Sequence, residues 1–240
     1  RKTLPVVILA CTTLALASQA PGLWQDWQAD YVSATGHIEV VQLADGSTVT
    51  LDSDSAIQWV ATKERREIRL LRGRAHFDVA HQANDTPFVV VTPQAEATAL
   101  GTRFDVETDN KATQVMVYES RVAVRCLPCQ PQAENILPPG QAIDIDEATV
   151  ATALPMPRTQ TAGAGGWRDG MLAFDNASVA QVLSRLARYS TKPIVLLDAQ
   201  TGARRVSAVV SSRDPDAALS ALAELGIIRV TFIPGITLVR

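Results

Sequence analysis

Three parts are predicted for this chain: an amino-terminal membrane helix, an all-β domain and a small α/β domain. Three observations predict them. Residues 4 to 24 carry no charged side chain. From about His37 to Ile145, short alternating apolar and polar runs follow one another with turn residues between them and no helical period. After residue 166 the pattern changes to strands interleaved with capped amphipathic segments.

The chain has 240 residues, 47% hydrophobic and 20% charged, a composition that folds rather than staying disordered. The formal net charge is −3 and there is no basic stripe with interleaved aromatics, which argues against nucleic acid as a partner. Arg1 and Lys2 precede "LPVVILACTTLALASQAPGLW". Its most apolar part, Leu4 to Ala17, is short of the ~20 residues that span a bilayer, but continuing to Trp24 reaches that length. Trp24 and Trp27 suit a membrane interface. Ala15-Leu16-Ala17 resembles a signal-peptidase site, the rival reading. The chain opens without Met, so the expectation is an anchor over 1–27, with its basic end cytoplasmic and an unseen segment before it.

Residues 28–150 form the expected all-β domain. "VVQLADGSTVTL" is a hairpin turning at Asp45-Gly46. "IRLLRGRAHFDVA", "FVVVT", "ALGTRFDVET", "TQVMVYESRVAV" and "QAIDI" read as further strands. Residues 151–166, "ATALPMPRTQTAGAGG", read as a linker. In residues 167–240, "WRDGMLAFD" is a strand. Asn176 or Ser178 caps a helix in which Val179, Val182, Leu183 and Leu186 share a face, and Ser178 with Gln181 fits a capping box. "KPIVLLD" and "RRVSAVVS" are strands, Asp214-Pro215 opens a second helix, and "IIRVTF" and "ITLVR" close an order β-α-β-β-α-β-β.

Two local motifs invite a chemical reading. "CLPC", Cys126 to Cys129, has redox spacing, but no helical pattern follows to lower a thiol pKa; a small loop disulfide or free thiols are expected. "HFDVAH", residues 76 to 81, offers imidazoles around a carboxylate. On a strand, however, Phe77 and Val79 face the core, His76 and Asp78 face away, and His81 has the wrong parity. Such a set is a poor first shell for zinc, and the histidines are expected on the surface. Phe-Asp-Val recurs at residues 104–106 without a histidine nearby. There is no Gly-x-Ser-x-Gly elbow and no phosphate loop. No metal, no cofactor and no enzyme acting on a separate substrate is expected.

"LADGSTVTLDSDSAI", "RLLRGRAHFDVAH", "PFVVVTPQAEATALGTRFDV", "VMVYESRVAV" and "LPPGQAIDI" resemble, in this order, the periplasmic region of FecR-type transmembrane regulators of sigma factors. "WRDGMLAFDNASVAQVLSRLARYSTKPIVL" is similar to their carboxy-terminal domain, which is STN-like, after secretins and TonB-dependent receptors. The family commonly has Glu-Gly where this chain has Glu119-Ser120, and the cysteine pair lies outside its pattern. The resemblance implies a single-pass protein of the bacterial inner membrane, periplasmic from about residue 28. Residues 167–240 would receive the signalling domain of a TonB-dependent outer-membrane receptor carrying an iron-siderophore type of ligand. An extracytoplasmic-function sigma factor would be held by the cytoplasmic segment, with periplasmic and intramembrane proteases acting in between. An envelope binding module without a signalling role is the alternative.

The resemblance also singles out one peptide bond. Some family members are thought to cleave themselves between Gly and Thr at the place of Gly101-Thr102. The Thr102 hydroxyl would attack the Gly101 carbonyl in an N–O acyl shift, helped by a base or a strained peptide. His76, on the echoing Phe-Asp-Val strand, is one candidate base. The plainer alternative is a turn glycine before a strand threonine.

Overall fold

A computed structural model describes residues 24–62, 64–82, 86–99, 101–109, 111–129, 134–146, 149, 153–156 and 166–240. Its β region contains β1 (Tyr31–Val32), β2 (Glu39–Gln42), β3 (Thr48–Leu51), β4 (Ala56–Ala61), β5 (Arg66–Asp78), β6 (Phe88–Val91), β7 (Ala95–Ala99), β8 (Arg103–Thr108), β9 (Ala112–Glu119), β10 (Val122–Cys126), β11 (Glu134–Leu137), β12 (Gln141–Asp146) and β13 (Leu154–Pro155).

The 13-residue β5 is the member that two layers share. Its first half pairs with β4 and, in parallel, with β6; its second half pairs with β3 and β8. One layer therefore runs β1-β4-β5-β6-β7-β10-β11 and the other β2-β3-β5-β8-β9-β12-β13. The strand changes layer at Gly73, φ +84, opposite a register shift between Ala56 and Ile57. A Cβ at Gly73 would lie 2.2 Å from Ser55 Oγ and 2.7 Å from the Asp54 carbonyl oxygen, so the bend admits only glycine. The curl encloses one core. Phe77 lies 5.1 Å from Phe104 in one layer and 5.9 Å from Phe88 in the other, centroid to centroid.

The Asp45-Gly46 hairpin is present as β2–β3, with Gly46 at φ +85. The run "ALGTRFDVET", expected as one strand, is two. Ala95–Ala99 pairs within the first layer and Arg103–Thr108 within the second, and Gly101 (φ +67) lies at the corner between them. The expected linker is also partly structured. Leu154–Pro155 pairs with β12, and Met156 is buried against Met116 and Ala142. Residues 157–165 and most of the expected anchor, residues 1–23, lie outside the described residues; among the described residues no helix is long and apolar enough to cross a membrane.

After a 3-10 turn at Gly166–Asp169 come β14 (Met171–Ser178), α1 (Val179–Ala187), β15 (Ile194–Leu196), α2 (Ala199–Ala203), β16 (Arg205–Ser211), α3 (Pro215–Glu224), β17 (Val230–Ile233) and β18 (Ile236–Val239). The order differs from expectation by α2, which Asp198 nucleates by accepting from the Gln200 and Thr201 amides. Trp167 and Arg168, expected in a strand, belong instead to the 3-10 turn. The Ser178–Gln181 capping box is present, as is the Asp214 cap with Pro215 behind it. Val179, Val182, Leu183 and Leu186 do bury one face of α1, together with Trp167, Leu172 and Leu219. Strands β14–β16 pair antiparallel, while β15–β18–β17 form a second small sheet. Of the two bland alternatives for the cysteine pair, the disulfide Cys126–Cys129 is the one formed.

Candidate functional site

Gly101 and Thr102 lie against the outgoing end of β5. Beyond Asp78 the chain continues beside them, and the Val79 amide donates to the Thr102 carbonyl at 3.0 Å. Thr102 is 3% exposed, and its hydroxyl has no hydrogen-bond partner. Leaving such a group buried and unbonded costs about 1–3 kcal/mol. Gly101 holds a left-handed φ of +67, and a Cβ there would stand 3.4 Å from His81 Cβ and 3.6 Å from His81 Nδ1. Next along, Arg103 is fixed by Asp78 (3.1 Å) and Glu119 (3.0 Å). The bond is therefore flanked by a left-handed glycine, an unengaged hydroxyl and an imidazole.

His76 does not belong to this group. It pairs with Asp105 across β5–β8, three residues along from Thr102, or ~10 Å at strand rise. It is also buried, not on the surface, because residues 166–168 cover the outer face of its strand. Its Nδ1 meets Asp105 Oδ1 at 2.6 Å and its Nε2 meets Arg168 Nη1 at 2.7 Å. A guanidinium only donates, so Nε2 accepts and Nδ1–H donates to Asp105. Both ring nitrogens are thus engaged, which leaves neither for a metal or for proton transfer. Asp78 is on the surface with Arg103, and His81 is exposed.

Asp105 is the centre of a second cluster that pattern reading missed. Fully buried, it accepts from Arg74 Nε (3.0 Å) and Nη2 (2.6 Å), Tyr118 Oη (3.0 Å), Trp167 Nε1 (2.9 Å) and His76. Arg74 also lies over the Trp167 ring at 4.9 Å. Burial pushes the Asp105 carboxyl up, but Arg74, His76 and Trp167 more than offset it and hold the group well below the usual carboxylate range. Burial and the adjacent Asp105 charge raise the Tyr118 phenol. Nearby, Glu107 receives Arg185 (2.7 Å) and Arg188, which with Arg74 outweigh burial and bring it down to about 2. Tyr189 donates to Asp52 at 2.9 Å, and Ser53 donates to the Arg188 carbonyl. Burial raises Asp52 despite Arg188 and Tyr189. Together these contacts form a polar seam by which residues 166–189 dock on β5, β8 and the turn that follows β3. An Asp–His pair with no nucleophile beside it holds structure rather than performing chemistry. The one legible signal for it was the repeated Phe-Asp-Val. Its copies do meet, Phe77 directly opposite Phe104, but the two aspartates have different surroundings.

Residues 29–123 match the family model described as FecR protein. No curated protein matches the chain. Two crystal structures of a "putative anti-sigma factor" from Parabacteroides distasonis ATCC 8503, at 1.65 and 2.50 Å, share the fold with TM-scores of 0.72 and 0.71. Each is 21% identical; the likeness covers 88% and 87% of this chain and 97% and 96% of those chains. The shared fold therefore extends through the carboxy-terminal unit as well as the β region.

Proposed function

We propose, from the match of residues 29–123 to the FecR family model, that the protein regulates a sigma factor as the periplasmic and transmembrane part of a cell-surface signalling system. The signal comes from the signalling domain of a TonB-dependent outer-membrane receptor, which docks on residues 167–240. It is passed to an extracytoplasmic-function sigma factor across the inner membrane. The FecR match carries the reading, and the fold shared with the Parabacteroides protein supports it. The polar seam supports a relay as well, because it couples residues 166–189 to β5 and β8 through the Trp167–Asp105 and Arg168–His76 hydrogen bonds and the Arg185–Glu107 ion pair, which exist only when the two units are docked.

Self-cleavage between Gly101 and Thr102, with later cuts by periplasmic and intramembrane proteases, is part of the proposal. The orphaned Thr102 hydroxyl and the left-handed Gly101 support it. It is a single turnover on the chain itself.

The test is genetic and biochemical together. Deleting the gene is expected to change transcription from one extracytoplasmic-sigma-dependent reporter and abolish its response to the receptor's ligand. The purified chain is expected to capture that receptor's signalling domain. Unchanged reporters together with no capture would sink the proposal.

A further inference from the structure

We propose that Trp24 and Trp27 lie in the headgroup layer of a phospholipid bilayer and seat the β region on its surface, with the bend of β5 next to the membrane; the inference rests on the membrane-anchor reading above. Residues 24–28 form a helical turn. At 3.6 residues per turn, Trp24 and Trp27 project to one side of it and Gln25 and Asp26 to the opposite side. The second side is docked. Gln25 Nε2 donates to the Leu71 carbonyl at 3.1 Å and Asp26 pairs with Arg72 at 2.7 Å, both on β5 just before Gly73. The first side faces out: Trp24 is 61% and Trp27 77% exposed, with ring centroids 5.5 Å apart.

Two large rings side by side at a surface mark a place of contact. The sequence indicates the partner. Residues 4–24 carry no charge, and the first charged residue after them is Asp26. A bilayer is crossed by ~20 apolar residues, so the pair stands where such a span leaves the hydrocarbon. That is the depth the amphipathic indole ring prefers.

No slack follows the pair. Ala29 N–H bonds the Gln25 carbonyl at 3.0 Å, Asp30 N–H bonds the Ile57 carbonyl at 2.9 Å, and Asp30 Oδ2 accepts from the Trp59 amide at 2.8 Å. Tyr31 and Val32 then pair with β4. On the other side of the joint, Arg72 is also held by Asp54 at 3.0 Å. The chain thus passes from the tryptophans into the fold through residues bonded to it, so where the rings sit, β5 sits too. The strand seated in this way is the one that carries Arg74 and His76 of the polar seam.

The test uses the full chain in vesicles of phosphatidylethanolamine and phosphatidylglycerol. Some of the vesicles also carry phosphatidylcholine brominated in its acyl chains, a short-range quencher of tryptophan. Trp24→Phe/Trp27→Phe keeps two apolar rings and removes their signal, so subtracting its emission leaves that of the pair. The pair is expected to emit to the blue and to lose most of its intensity to the brominated lipid, while Trp59 and Trp167 lose little. Chymotrypsin, which cuts after aromatic residues, reads the joint. Wild type in vesicles is expected to resist cutting after Trp24 and Trp27. Gln25→Ala/Asp26→Ala, which frees the turn from β5, is expected to be cut there about tenfold faster or more and to release the rest of the chain. If that variant does not melt cooperatively, Asp26→Asn, which removes only the charge, replaces it. An unquenched, red-emitting pair in a chain that stays with the vesicles would overturn the seating and leave the anchor; it is the result expected if a protein covers this face instead. A quenched pair with wild type cut as fast as the variant would make the tryptophans only the end of a span, and would overturn the seating as well. A chain that stays out of the vesicles altogether would sink both readings.

Discussion

Thr102 and Asp105 lie three positions apart on one stretch of chain and meet burial in opposite ways. Asp105 surrounds its charge with five donated hydrogen bonds from four side chains. Thr102 leaves its hydroxyl unsatisfied. A native fold retains such a group at the expense of stability, which predicts the sign of one substitution. Thr102→Val keeps the shape and removes the polar atom. It is expected to stabilise the protein by about 1 kcal/mol in urea denaturation while the chain remains intact. A loss of stability would mean that the hydroxyl has a partner after all. Strand parity was legible here: Phe77 and Val79 do face the core, as their alternation implies. That His76 is buried was not legible, because its cover is Arg168, 92 residues further on, and no local pattern encodes that contact.

At the level of the element, the best-read features were those whose cause is local. The Ser178–Gln181 box, the Asp214-Pro215 start and the Asp45-Gly46 turn all form as their side-chain chemistry dictates. The corner at Gly101 reads in the sequence as continuous strand because the alternation persists through it; only the pairing partners differ on the two sides. The β9–β10 turn is a further case. Ser120 sits at φ +61, a left-handed conformation that costs a residue with a Cβ about 1–2 kcal/mol. The family resemblance puts glycine at this place. Ser120→Gly is therefore expected to raise stability by about 0.5–1 kcal/mol, less than the full strain because glycine has more freedom to lose on folding. Thermal melts of the two chains check it; an unchanged or lower midpoint would show that the turn stores no strain.

For the molecule as a whole, the polar seam sets the response to acid. Glu107 has an ordinary value of 4.5 and is brought down to about 2 when folded, so it contributes stability above about pH 4.5 that is lost as pH falls towards 2. Asp105 is held low as well and acts in the same sense, at still lower pH. Asp52, raised by burial, acts in the opposite sense and offsets part of the loss. Urea midpoints measured between about pH 5 and about pH 2 are expected to fall, with a shallower fall in Glu107→Gln. Equal slopes in the two chains would show that Glu107 does not couple the units. Residues before Gly101 supply β5 and β7, and residues after Thr102 supply β8 and β10, which pair with them. A chain severed at that bond would therefore stay clasped as two interlaced polypeptides sharing one core. Hydrolysis alone would release nothing; it would only convert a covalent tether into one that mechanical pull can peel apart.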